Sequence, residues 1–264
     1  MLKRIVTASV GIPLFLGLLY LGDWYWLGLI MVLAALGATE SARLGFFGSF
    51  ERFRVLGAIG ALTATVGAYI GGGGGGIGSV LTGGATLAYT AWLGYYALKP
   101  SKPGRGEIPW LHAFSVSLYP AAYFAHLGLL RGEGLAAALL PVLVTWATDT
   151  AAYFTGSRFG KTPLAPRISP KKTVEGALGG LIFGVAVAAV FGHFVASAPL
   201  TWAALGLAAS VAAQGGDLIE SGLKRKAGVK DSGALLPGHG GVLDRFDSLM
   251  ISGTVVYYLL LAMR

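Results

Sequence analysis

The chain has no cysteine, so disulfides and thiolate metal sites are excluded. Charge is also scarce: 12% of the 264 residues are Asp, Glu, Lys or Arg, against roughly 25% in a soluble domain. Acids are the scarcer sign, with 12 Asp and Glu against 20 Lys and Arg. Long polar stretches are missing too, which leaves no room for a soluble domain, and no internal repeat is evident. What the chain has instead is apolar residues, 55% of the total. That balance belongs to membrane proteins. The apolar run 5–21 after MLKR lacks a small-x-small cleavage pattern near Asp23, so it reads as an uncleaved first span rather than a signal peptide.

A membrane helix needs about 20 mainly apolar residues. Nine stretches qualify, at roughly 5–22, 24–42, 55–71, 77–98, 110–130, 134–155, 174–196, 200–220 and 246–263. Pro13, Pro120 and Pro141 fall inside spans, where neighbouring helices can satisfy the freed backbone groups. With the N-terminus in the cytoplasm, eighteen Lys and Arg fall on the cytoplasmic side and two, Arg131 and Arg264, on the other. This positive-inside bias predicts an all-α integral membrane protein. The expected fold is a polytopic bundle of about nine transmembrane helices, N-terminus cytoplasmic and C-terminus outside. The glycine run 71–76 reads as a flexible turn.

Two cytoplasmic loops, 156–173 and 221–245, carry five cations each. Topology and attraction to anionic headgroups account for part of this, at about 1 kcal/mol per basic residue. Lys171 and Lys172 stand just before a helix start, where ammonium groups and backbone N–H groups converge in a way that suits phosphate. For Thr173 and Glu175 the favoured reading is helix capping.

The acids add to this. Asp149 lies inside the sixth span, and Asp217 and Glu220 at the cytoplasmic end of the eighth. A carboxylate in lipid is costly and so marks a polar cavity. Asp149 has a plain alternative as a partner of Arg158, and Glu40 as an interfacial acid near Arg43. Asp244 and Asp247, three residues apart at the start of the ninth span, would share a helix face. Oxygen-only ligands favour a hard cation, Mg²⁺ above all. His239, flanked by Gly238, Gly240 and Gly241, is either a phosphate or base contact or part of a reversing loop; glycine there admits close backbone approach.

The stretch SGLKRKAGVKDSGALLPGHGGVLDRFD, residues 221–247, resembles the signature of the phosphatidate cytidylyltransferases, also called CDP-diacylglycerol synthases. The matching positions are Ser221, Lys224, Arg225, Lys230, Asp231, Pro237, Gly238, His239, Gly240, Gly241, Asp244, Arg245 and Asp247. DTAAYFTGSRFG and ISPKKTVEG upstream also look like the family, so the detailed resemblance covers about 145–250.

The resemblance implies a reaction, CTP plus phosphatidate giving CDP-diacylglycerol plus pyrophosphate with Mg²⁺. It also implies an integral membrane enzyme with its site near the cytoplasmic side of a bacterial plasma membrane, acting as a homodimer and binding no nucleic acid. The family's two functional aspartates look like Asp217 and Asp244. These are expected to hold one or two divalent ions, with Asp247 and Asp149 as further candidates and a monovalent cation as an alternative. Lys171, Lys172, Lys224, Arg225 and Arg245 are expected to act on the triphosphate and lipid phosphate. Ser221, Lys230, His239, Gly240 and Gly241 would bind phosphate or nucleotide. Arg245 has an alternative role as an ion-pair partner of Asp244 and Asp247. The expected division is 1–140 as supporting helices with a dimer surface, and 141–264 as the catalytic region. Rival readings are a CTP enzyme acting on an isoprenoid ether lipid phosphate or a polyprenol, an ion or solute transporter using Asp149 and Asp217, and a structural scaffold.

Overall fold

A computed structural model of the chain describes residues 2–44, 86, 91, 95, 109–235, 238 and 240–264. Helices occupy seven of the nine stretches expected as spans: α1 (Leu2–Leu21), α2 (Asp23–Leu44), α3 (Pro109–Gly132), α4 (Leu135–Phe159), α5 (Val174–Ala196), α6 (Pro199–Lys226) and α7 (Leu243–Ala262). The spans expected at 55–71 and 77–98 lie outside the described residues except for 86, 91 and 95, which are helical. The glycine run 71–76, Pro237 and His239 also lie outside them.

Among the described residues, three helices, Asp23–Ala42, Leu135–Phe159 and Val174–Ala196, are long and apolar enough to cross a membrane. The last of these exposes Leu178, Ile182, Phe183, Val190 and Phe194, an arrangement suited to lipid rather than water. The protein is therefore a mainly helical integral membrane protein.

One feature departs from the all-α expectation. Residues 163–173 form an antiparallel hairpin of β1 (Pro163–Ala165) and β2 (Ser169–Thr173). Pro163 pairs with Thr173 and Ala165 with Ser169, with an irregularity between the two pairs.

The chain divides into two compact units, Met1–Leu135 with Leu223–Phe246, and Ala136–Gly222 with Asp247–Arg264. In the first, α2 lies against α3. The Trp26 indole N–H donates to Leu127 O at 3.1 Å, and a Cβ at Gly37 would come within 2.8 Å of Pro120. Phe15, Trp26, Phe124 and Phe246 stack edge to face or tilted at the centre. Arg131 reaches back to the end of α1, donating to Leu19 O at 2.8 Å and Tyr20 O at 3.2 Å, where the last carbonyls of a helix need donors.

In the second unit, α5 carries small residues at every fourth position: Gly176, Gly180, Gly184, Ala188 and Gly192, all buried. That spacing makes one continuous face. Without side chains there, Thr148 of α4 and Ser210 of α6 meet across Gly184 and share a 2.8 Å hydrogen bond.

Candidate active site

The hairpin places the paired lysines. Thr173 caps α5, its hydroxyl accepting from Gly176 N–H at 3.1 Å, as expected. Glu175 does more than line the first turn. Its carboxylate accepts from the backbone N–H groups of Lys161 at 3.0 Å and Thr162 at 3.2 Å, and Val174 N–H donates to Thr162 O at 2.9 Å. These bonds close the base of the hairpin, so β2 carries Lys171 and Lys172 on a braced strand rather than a free loop.

Lys171 and Lys172 line a cavity of about 520 Å³ within the second unit, together with Asp149, Tyr153, Gln214 and Asp217. Asp149 and Tyr153 are four residues apart on α4, and Gln214 and Asp217 three apart on α6, spacings that set each pair on one face. Lys172 and Asp217 form an ion pair. Asp217 also accepts from the Ser221 hydroxyl, one turn on, at 3.2 Å. Gln214 is held in place by donating to Ala177 O at 3.2 Å. The cavity thus joins two carboxylates and two ammonium groups from three separate elements. The acids offer hard oxygen donors and the lysines offer phosphate partners, so the donor set would suit a hard cation together with a phosphate.

A second cluster forms in the first unit. Lys224, near the end of α6, donates to Asp244 Oδ1 at 2.7 Å, and both side chains are buried (11% and 6% exposed). Asp244 Oδ2 accepts from Ser232 N–H at 2.9 Å, the Ser232 hydroxyl at 3.0 Å and Gly241 N–H at 2.8 Å. Burial alone pushes the Asp244 carboxyl up. The Lys224 hydrogen bond, the Gly241 N–H, the Lys224 charge and the Ser232 N–H outweigh it and hold the group below its ordinary range. Gly240 sits at φ 86°, and a Cβ there would come within 2.6 Å of Asp244 Oδ2; Gly241 is likewise hemmed in by Ser232 and Glu40. These glycines are required by the close packing of the loop on two carboxylates.

Arg225 is exposed and donates to Val229 O at 3.1 Å. Lys230 and Arg245 are exposed. Asp247 is buried, and its Oδ1 accepts from Ser248 N–H at 2.6 Å.

Three participants were not singled out in the sequence: Tyr153, Gln214 and Ser232. Gln214 was findable, since it stands three residues before Asp217. Glu40, expected as an acid near Arg43, is 3% exposed and bonds within the protein, accepting from Val242 N–H at 2.9 Å.

Residues 2–263 match the cytidylyltransferase family as a whole. A phosphatidate cytidylyltransferase of Bacillus subtilis (strain 168) is 46% identical over 141 residues, 52% of each chain. One from Staphylococcus aureus (strain COL) is 52% identical over 122 residues, 46% of this chain and 47% of that protein. One from Brucella suis biovar 1 (strain 1330) is 43% identical over 187 residues, 69% of this chain and 63% of that one. The chain thus spans about half the length of the first two relatives it matches.

Proposed function

The chain belongs to the cytidylyltransferase family, and from that we propose that it transfers the cytidylyl group of CTP to phosphatidate. The phosphatidate oxygen attacks the α-phosphorus of CTP, a new P–O–P bond forms, the bond to the β-phosphate breaks, and pyrophosphate leaves. The observation that carries this reading is the cavity where Lys171 and Lys172 face Asp149 and Asp217. Both reactants are polyanions, so the work is positioning and charge neutralisation. The attacking phosphate is already ionised and needs no general base.

In this reading Lys171 and Lys172 bind phosphate oxygens in the cavity, and the braced hairpin keeps them there. Asp217 and Asp149 would hold Mg²⁺, which when bound supplies charge neutralisation at the α-phosphate. Lys172 would move between Asp217 and phosphate as the ion arrives. Asp244 already takes four hydrogen bonds, three of them on Oδ2, so a metal role for it would fall to Oδ1 beside Lys224. Lys224, Arg225, Lys230 and Arg245 remain assigned to phosphate, and His239, Gly240 and Gly241 to the nucleotide. A homodimer in a bacterial plasma membrane, with the site facing cytosolic CTP, completes the proposal.

The test is pyrophosphate release by the purified full chain in detergent with Mg²⁺, given one lipid phosphate and one nucleotide at a time. Release is expected only when CTP and phosphatidate are both present, and its loss is expected in Asp217→Asn. Release with a polyprenol or ether lipid phosphate but not with phosphatidate would overturn the substrate assignment.

A further inference from the structure

Three consecutive backbone N–H groups lead into α7, those of Gly241, Val242 and Leu243. All three are taken by carboxylates. Gly241 donates to Asp244, as described, whereas Val242 N–H donates to Glu40 Oε1 and Leu243 N–H to Glu40 Oε2, each at 2.9 Å. Glu40 comes from α2, some two hundred residues earlier in the chain. The Ser232 hydroxyl lies 3.0 Å from both Glu40 Oε2 and Asp244 Oδ2, so its one proton bridges the two carboxylates. On the other side of Glu40, a Cβ at Gly233 would come within 2.8 Å of Oε1. Glu40, Ser232 and Gly241–Leu243 are all buried or nearly so. A buried carboxylate persists only when its oxygens are satisfied, and here the loop supplies every donor described.

We propose that Glu40 is a positioning residue for cytidylyl transfer: it clamps Ser232 and the start of α7, and through them fixes the Asp244–Lys224 pair of the 221–247 segment. The role in transfer rests on the function proposed above; the clamp itself does not. Glu40 does not touch substrate in this assignment. It acts by holding Ser232 and the start of α7 in place.

The test compares Glu40→Gln and Ser232→Ala with the wild-type full chain in detergent. Glutamine replaces one carboxylate oxygen with an amide NH₂, a donor that must face a backbone N–H, so at least one clamp bond becomes a repulsion. Two readouts are taken: KM for CTP in pyrophosphate release, and the rate of tryptic cleavage after Lys230, which is exposed in the loop. Losing a charged hydrogen bond is expected to raise KM at least about tenfold and to speed cleavage by a similar factor. A residue that merely supports folding would lower the amount of active enzyme and leave KM unchanged. Wild-type KM and wild-type cleavage in Glu40→Gln would overturn the proposal. Faster cleavage with unchanged KM would overturn its role in transfer and leave a clamp only. If Glu40→Gln does not fold, Ser232→Ala, which removes one bridging proton and adds no repulsion, is judged by the same outcomes. If the wild type releases no pyrophosphate from CTP and phosphatidate, the proposed function fails, while the cleavage arm still decides the clamp.

Discussion

The two lysine–aspartate pairs look alike on paper and differ in what breaking them costs. Lys172 and Asp217 are 27% and 32% exposed, so solvent screens their attraction, and such pairs contribute about 0–1 kcal/mol. Lys224 and Asp244 are 11% and 6% exposed, and removing one partner of a buried pair leaves an uncompensated charge costing about 3–5 kcal/mol. The expected outcomes therefore split. Lys172→Ala should leave the detergent melting transition almost unmoved yet cut turnover about a hundredfold or more, the scale of losing one charge-stabilising contact. Lys224→Ala should lower the melting temperature clearly, with activity lost in part through folding. Equal destabilisation by the two variants would contradict the burial difference on which the split rests.

At the scale of elements, the hairpin between α4 and α5 connects local sequence to the chemistry. Thr173 and Glu175 were legible as a helix start, because a capping threonine with an acid in the first turn is a local pattern. The strands were not. Ser169–Thr173 reads SPKKT, with a proline and two lysines and no apolar alternation, and what closes it is a side chain–backbone contact between Glu175 and Lys161–Thr162. The Glu40 clamp was illegible for the same reason at greater range: its partners lie 192 to 203 residues away, and its only visible neighbour in sequence was Arg43. The helices and the membrane class were readable because they depend on composition and run length. Asp149, Asp217, Lys171 and Lys172 were readable because charge in an apolar setting is conspicuous wherever it stands. Tyr153 was hidden among other apolar residues. From the hairpin geometry, Glu175→Gln should raise KM for CTP several-fold through looser lysines while leaving kcat nearly unchanged, since a neutral amide keeps only one acceptor oxygen for two N–H donors. Steady-state pyrophosphate release against CTP concentration checks this, and a fall in kcat at unchanged KM would contradict a bracing role.

For the whole molecule, access to cytosolic CTP depends on which side of the membrane the charged segments face. The bias of eighteen cations to two fixes an orientation only if the nine-span count is right, and losing one of the two spans between them, 174–196 or 200–220, would place Lys171 and Lys172 opposite the 221–245 loop. The absence of cysteine makes a direct measurement possible, because an introduced thiol is then the one maleimide target within the chain. Lys161 lies at the exposed base of the hairpin and outside the cavity lining; Gly132 is exposed where α3 ends. Lys161→Cys and Val229→Cys are expected to react with a membrane-impermeant maleimide only after cells are permeabilised, whereas Gly132→Cys reacts in intact cells. This pattern would put both basic segments with cytosolic CTP. Labelling of Lys161→Cys but not Val229→Cys in intact cells would separate the two segments across the bilayer. One active site could not then draw on both, and the roles proposed for Lys224 and Arg225 would have to be abandoned.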